Sequence, residues 1–402
     1  MFECIKEFCE KVVCVLRMRY YGRFGYPFVE NVNNRKHNWH ALLVYEVLPF
    51  LRGGRGLFFS GHSRWRRNQL MVKVLDKAGY CVDVVYHKSP LPKLRHEYEL
   101  MIGLQPLVFK LAEKLSATCA KVYLSTGMET TAYNHFMTQR IGQIKQRHGV
   151  SLKMFRTQQE NFDNLRFFDA LVAMGNEYVA QTFHSFIDGP IYTVNSHPPI
   201  LPANHAFKKD YNSASKHFLY FASGGQIITG LDLLLDVFSE RPDLHLYICS
   251  PFKSETDFVE CFHDSLFKTA NIHPIGFVRI GSHRYRKVVN LCGSVILPLC
   301  AGGSNGSVIT CMHEGLIPIT SSASGIASSD LRDLGVFLKS IEISAIADAV
   351  DYVASKSGEW LRMQSEKTIN SAKRFYSEEY FEERFAEIVS VIEKNKRDAE
   401  RQ

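Results

Sequence analysis

Short apolar runs of strand length alternate with stretches of helical period along most of the chain. The plainest case is Val295–Leu299, an unbroken apolar run. It is followed by the loop Ala301–Ser307, which holds Gly302, Gly303 and Gly306, then by Ser307–Met312 with a helical pattern. Gly315 closes that helix, and Leu316–Thr320 is apolar again. The order strand, glycine loop, helix, strand predicts one βαβ unit. Upstream, the same reading gives strands at Gly56–His62, Cys81–His87, Lys121–Gly127, Lys153–Arg156, Ala170–Met174 and Ile191–Asn195. It gives helices at Arg67–Ala78, ended by Gly79, and after Gly127 through about Arg147. Pro198, Pro199, Pro202, Asn204, Asn212 and Ser213 then interrupt the pattern. A second series follows, with strands at His217–Gly224, Leu244–Cys249, Asn271–Ile275, Val295–Leu299 and Ile317–Thr320.

Strands that alternate with helices imply parallel sheets joined by right-handed crossovers. The expected fold is therefore α/β, with two Rossmann-like domains whose parallel sheets face a central cleft. The expected divisions are residues 1–200, a linker over 201–216, a second domain over 217–375, and a C-terminal helix over 376–402 that crosses back to the first domain. A length of 402 residues agrees with two cores rather than one.

The cleft is the default site, because parallel sheets bind ligands at the carboxyl ends of their strands. Gly302, Gly303 and Gly306 let the backbone turn sharply. The helix that starts at Ser307 turns free N–H groups toward the loop, which is an anion site of the phosphate-binding kind. An ordinary βαβ turn without a ligand is the plain alternative. A second glycine loop, Ser223–Gly230, follows the first strand of the same domain, and two such loops on one sheet suit a nucleotide diphosphate better than one.

On the first domain, His62 follows a strand and a glycine, with Arg64, Arg66 and Arg67 behind it. His62 at the cleft edge can bind a substrate hydroxyl, and Arg64 and Arg67 can hold an anionic acceptor. The alternative is a helix-capping loop with a solvated basic face. Thr126, Gly127 and Glu129 end another strand. Glu129 can bind sugar hydroxyls, or it can simply favour the start of the next helix. His197 precedes two prolines, which fits a conformational role as well as a catalytic one. Glu314 is a candidate ribose ligand, but it lies at the far end of the helix that starts at Ser307, pointing away from the anion site.

These residues resemble the retaining family-four glycosyltransferases with the two-Rossmann-domain (B-type) fold, in particular bacterial enzymes of surface-polysaccharide assembly. The resemblance is carried by Gly230–Phe238, Pro242–Cys249, Asn271–Val278 and Gly306–Ile319. It continues more weakly through Gly79–Val85, Tyr123–Gly127 and Asp169–Asn176. It implies a nucleotide-sugar donor in the second domain, a glycan or lipid-linked acceptor in the first, no metal and no cofactor. The donor contacts it implies are Gly224, Gly225, Thr229, Gly302, Gly303, Ser304, Asn305, Gly306, Ser307, Val308 and Thr310. The acceptor contacts are Arg64, Arg67, Thr126 and Gly127, with His62 and Glu129 as catalytic candidates.

The chain departs from that family at three positions. Thr229 stands where the family has a lysine against the donor diphosphate, and Gly302 and Thr310 stand where many members have glutamates. A lost charge-assisted hydrogen bond is worth roughly 1.5–3 kcal/mol. Arg279, Arg284 and Arg286 are the candidate replacements, or else solvated surface charges. Two readings follow: an active glycosyltransferase, favoured by the Gly-Gly-Ser-Asn-Gly-Ser loop, or a catalytically degenerate scaffold, favoured by the missing charges. A dinucleotide-dependent oxidoreductase is excluded, because Phe59–Trp65 has one glycine and no GxGxxG.

Composition adds little to this. The net charge of +7 is modest, and no RNA or zinc-finger motif accompanies the basic patches, so nucleic acid is not an expected partner. Ten cysteines without a CxxC pair read as reduced, buried thiols of a cytoplasmic protein. Residues 2–18 are amphipathic, and they fit either peripheral contact with an anionic membrane at its inner face or a helix packed on the domain.

Overall fold

The computed structural model describes residues 25–51, 63–155, 157, 163–198, 209–327, 329 and 334–400, with the single residues 16, 20, 21 and 23. Two six-stranded sheets organise it, and every strand pairing within them is parallel.

The first sheet holds β1 (Trp39–Tyr45), β2 (Tyr80–Tyr86), β3 (Leu100–Gly103), β4 (Ala120–Ser125), β5 (Ala170–Met174) and β6 (Ile191–Val194), in the order β2-β1-β3-β4-β5-β6. The second holds β7 (His217–Phe221), β8 (His245–Cys249), β9 (Ile272–Pro274), β10 (Ser294–Leu297), β11 (Ile317–Ser321) and β12 (Val336–Leu338), in the order β12-β11-β10-β7-β8-β9. Counted from its own first strand, the second sheet has the doubly-wound nucleotide-binding order. It reverses between β7 and β10, and such a reversal opens a crevice beyond the strand ends. The first sheet reverses between β1 and β3.

The inner strands are largely buried on both faces, as parallel sheets require, while the edge strands β6, β9 and β12 are mostly half-buried. Apolar clusters lie on each side of the first sheet, and one large cluster fills the second domain. The helix Glu378–Glu400 presses Phe381, Phe385, Ile388, Val389 and Ile392 into the first domain's core. Arg66 pairs with Glu378 at 2.7 Å, and Lys73 and Lys77 pair with Glu382, so the rims of that contact are ionic.

Several expectations change. Gly56–His62, with His62, lies outside the described residues, as do residues 2–15, 17 and 18 of the amphipathic start and residues 199–208. The first strand of the first sheet is β1, between β2 and β3, overlapping the apolar stretch Ala41–Leu51 that only Glu46 interrupts. Residues 153–155 form no strand, because they pair with no sheet; the Lys153 N–H donates to Asp257 of the second domain at 2.8 Å. β3 and β12 are further strands, each short enough to escape a period count.

The domains meet along two seams. One is the helix Thr130–His148 against the helix Leu231–Ser239, where Met137 and Ile144 join the second domain's core. At its centre Arg140, 4% exposed, pairs with Asp232, 0% exposed, at 2.6 Å. Arg147 also pairs with Asp232 and with Asp236.

The other seam is the glycine loop itself. The Met128 N–H donates to Gly302 O at 2.7 Å, the Ser304 N–H to Met174 O at 3.0 Å, and the Ser196 N–H to Ser304 Oγ at 2.9 Å. A Cβ at Gly303 would stand 2.6 Å from both Gly127 Cα and Thr126 O. Glycine is needed there because two backbones touch.

Candidate active site

A cavity of about 550 Å³ opens between the carboxyl ends of the two sheets. That size suits a small-molecule ligand. Both reversal points border it: Leu104 and Gln105 follow β3, while Ala222–Gly224 follow β7 and Ala301–Gly303, with Asn305 and Ser307, follow β10.

Strand register builds the first-domain side. Tyr45 of β1 is level with Tyr86 of β2, and Val44 with Gly103 of β3. One step past the strand ends, Glu46 and His87 therefore stand side by side, with Gln105 close behind. His87 Nδ1 donates to Gln105 O at 2.9 Å, so Nε2 carries the lone pair, 3.9 Å from Glu46 Oε1. Burial pushes the His87 imidazole down to about 4, and it is neutral near pH 7. Burial likewise raises the Glu46 carboxyl, opposed by Arg64, whose guanidinium donates to Glu46 Oε1 at 3.0 Å. Arg64 and the exposed Lys88 both line the cavity.

The second-domain side is neutral. Asn305 caps the helix Gly306–His313, its Oδ1 accepting from the Ser307 N–H at 3.0 Å and the Val308 N–H at 3.1 Å. Nothing stands within 4 Å of a Cβ placed at Gly306, so the helix start is open above that residue. The β7 loop is closed from below. Buried Glu255 accepts from the Gly225 N–H at 2.7 Å and from the Gln226 N–H at 3.0 Å.

Of the residues singled out from sequence, Arg64, Thr126, Gly127, Glu129, Gly224, Thr229, Gly302, Gly303, Asn305 and Ser307 line this one cavity. Two of these, Glu129 and Thr229, and several of the remaining candidates have their polar groups engaged within the protein. Glu129 is the cap of the helix Thr130–His148, its Oε2 accepting from Thr131 N–H at 2.7 Å and Ala132 N–H at 3.1 Å. That commits its carboxylate to the helix rather than to a substrate. Arg67 is buried, donating to Tyr45 Oη at 3.1 Å and Ser196 Oγ at 2.5 Å, and it faces the core instead of an acceptor. Thr310 donates back to Gly306 O at 2.6 Å, Val308 is fully buried, and Ser304 bridges to Ser196. The Gly225 amide is held by Glu255. Thr229 donates to Gly225 O at 2.7 Å and shares a hydrogen bond with the Tyr220 hydroxyl.

Arg279, Arg284 and Arg286 do not line the cavity, and Arg284 donates to Ile275 O at 2.9 Å. Burial holds His197 down to about 4. Its ring packs 5.8 Å from Phe381, so it anchors the C-terminal helix. Burial raises Glu314 to about 6, far from the helix start. His87, Lys88 and Glu46 are the site residues that the sequence reading passed over.

No family model and no curated protein matches the chain. Solved structures do match it. Sucrose-phosphate synthase from Thermosynechococcus elongatus aligns over 88% of this chain and 98% of its own, at 11% identity and a TM-score of 0.58. The Anabaena protein HepE, solved with UDP and glucose, aligns over 88% and 100%, at 14% identity and a TM-score of 0.56. S. aureus TarM, solved with fondaparinux, α-GlcNAc-glycerol and UDP, aligns over 71% of this chain and 54% of its own, at 13% identity and a TM-score of 0.50. This chain thus spans about half the length of TarM. The fold is the two-Rossmann, B-type glycosyltransferase fold. In that fold the cavity is the space between the domains, and the loops after β7 and β10 are its second-domain wall.

Proposed function

We propose that the chain binds a nucleotide-diphosphate sugar in this cleft and transfers the sugar to a hydroxyl of a glycan or lipid-linked acceptor. The observation that carries the reading is the cavity at both reversal points, with the open start of the helix Gly306–His313 on one side and Arg64, His87 and Lys88 on the other. UDP bound to HepE and to TarM supports it by analogy of fold.

In this reading the departing diphosphate lies over Gly306. The helix's partial positive charge and the Ser307 hydroxyl stabilise the negative charge that builds there. Lys88 and Arg64 supply the cations that Thr229 does not. Neutral His87 accepts a hydrogen bond from a substrate hydroxyl through Nε2. With a pKa near 4 it is too weak a base to hold the proton at pH 7, and the leaving phosphate takes it. Closure along the glycine seam keeps water from the sugar. Transfer with retention, in bacterial surface-polysaccharide or glycoconjugate assembly, is the further assignment from the sequence resemblance. It needs no cofactor and no metal in the transfer. The reading locates the protein in the cytoplasm, at the inner face of the membrane when the acceptor is lipid-linked. No described helix is long and apolar enough to cross a membrane.

Calorimetric titration with UDP, GDP, ADP and CDP tests the proposal. Micromolar binding of one of them, abolished by Gly306→Trp in a protein that still folds, supports it. No binding up to millimolar concentration overturns it. The alternative, a scaffold that keeps the fold without transfer, is favoured by one observation: the Glu255 carboxylate occupies the Gly225 and Gln226 amides. Nucleotide binding without donor turnover over any acceptor would select it.

A further inference from the structure

At the opposite end of the first sheet from the cleft, His40, Asp83 and His96 converge. One ring nitrogen of each histidine and one carboxylate oxygen of Asp83 lie within 4.8 Å of one another. We propose that these three side chains bind a divalent transition metal, Zn²⁺ in the first instance. The ion would fasten the foot of the sheet.

Three features of the cluster support this. Asp83 is 1% exposed, yet no lysine or arginine pairs with it among the described residues. Its oxygens accept only from the Asn31 N–H at 2.7 Å and the Tyr98 hydroxyl at 2.6 Å. A buried carboxylate without a counter-charge is costly, and a divalent cation supplies one. Second, His40 Nδ1 is buried with no hydrogen-bond partner. A metal would satisfy that orphaned nitrogen. Third, the carboxylate and the His40 backbone are held in place. The two hydrogen bonds fix the carboxylate, and the His40 backbone is held by Glu99 Oε2 at 2.6 Å.

The donor set selects the ion. Two imidazole nitrogens and one carboxylate oxygen suit Zn²⁺, whereas Ca²⁺ and Mg²⁺ take oxygen ligands. Zn–N and Zn–O bonds of about 2.0–2.2 Å require the ligand atoms to draw closer than they stand. His40 and His96 now stack with centroids 4.2 Å apart and planes at 8°. His96 is exposed on the connection between β2 and β3, so a turn of its ring toward Asp83 displaces only solvent-facing contacts and its stacking on His40.

The site is remote from transfer. His40 and Glu46 are separated along β1 by about 20 Å at the usual rise of a strand. The metal would tie β1, β2 and the 87–99 connection together, and it takes no part in the cleft chemistry.

The test uses the full chain, stripped with a chelator and titrated with Zn²⁺. The readouts are calorimetry and the melting temperature, for wild type and His96→Ala. His96 is exposed, so its removal leaves the fold intact. The expected result is one site in wild type that raises the melting temperature. In His96→Ala that site should be weakened at least about tenfold, with no thermal shift. His40→Gln should behave in the same way. Equal Zn²⁺ binding in wild type and His96→Ala would place the ion elsewhere and overturn the proposal, as would no binding below millimolar Zn²⁺. Nucleotide binding should be unchanged in His96→Ala, so this result stands apart from the cleft's function.

Discussion

The two walls of the cleft are built in opposite ways. The first-domain wall carries charge and a titratable ring: Arg64, Lys88 and His87, with Glu46 behind them. The second-domain wall is glycine, hydroxyl and amide: Gly224, Thr229, Gly302, Gly303, Asn305 and Ser307. A buried carboxylate, Glu255, is turned in beneath the β7 loop. A wall of backbone can shape an anion site but lends it little charge, and the charge here stands on the facing domain. An anionic ligand bound as proposed would be gripped from both sides, and its affinity would depend on how tightly the domains close. The interdomain seams would then be part of the binding site.

Breaking the glycine seam should have the largest effect. In Gly303→Leu the new Cβ meets backbone atoms of Thr126 and Gly127 at 2.6 Å, and backbone cannot swing aside. Nucleotide binding should be lost, and small-angle scattering should show a larger radius of gyration. An unchanged radius would mean that the seam is not what holds the walls together.

Next comes the helix seam. Arg140→Met leaves Asp232 buried with only Arg147 for a partner. Removing one partner of a buried pair costs about 3–5 kcal/mol, and Arg147 should hold the loss near the lower end. Urea unfolding reads this directly, and a loss under about 1 kcal/mol would contradict a tight seam.

Smaller is the effect of Glu255→Gln. Removing a negative charge from beneath the β7 loop should tighten nucleoside-diphosphate binding about tenfold, or roughly 1.4 kcal/mol. Weaker binding would show that the carboxylate serves the loop's shape more than it opposes the ligand.

The smallest effect is a slope. His87 and His197 are both held to about 4, below the usual histidine value of 6.5. Between those pH values the unfolded chain takes up protons that the fold refuses, so stability falls as pH drops from about 6.5 toward 4. In His87→Gln the part of that decline due to these two histidines should be about half as steep, read as melting temperature against pH. An unchanged slope would mean that His87 is not held neutral.

The second domain was the more legible from sequence. Val295–Leu299, the loop Ala301–Ser307 and the helix after it fall within two or three residues of β10, the observed loop and Gly306–His313. Glycine marks both of its loops, and β7, β8 and β10 each hold an uninterrupted apolar run. The first domain was harder to read. After β1 the apolar residues resume past Glu46 at Val47, Leu48 and Phe50, so one polar residue inside an apolar stretch does not mark where the strand ends. Glu46 stands one residue past that end, and its carboxylate lies beside His87. His87 was read as a strand terminus but has no glycine beside it, so the search for flexible loops passed over it. Arg64 and Arg67 lie one helical turn apart with the same charge. Only packing against Tyr45 and Ser196 decides that Arg67 is buried while Arg64 faces the cavity. Glu255 is 30 residues from Gly225, and no spacing rule joins them.

The most direct test of the two-walled cleft is the calorimetric affinity of the best-binding nucleoside diphosphate for wild type and Lys88→Ala. Lys88 stands on the domain that faces the Ala301–Ser307 loop. A charge-assisted hydrogen bond contributes roughly 1.5–3 kcal/mol, so its loss should weaken binding at least about tenfold. Affinity unchanged by Lys88→Ala would mean that the second domain holds the anion alone, and the account of a ligand gripped from both walls would fail.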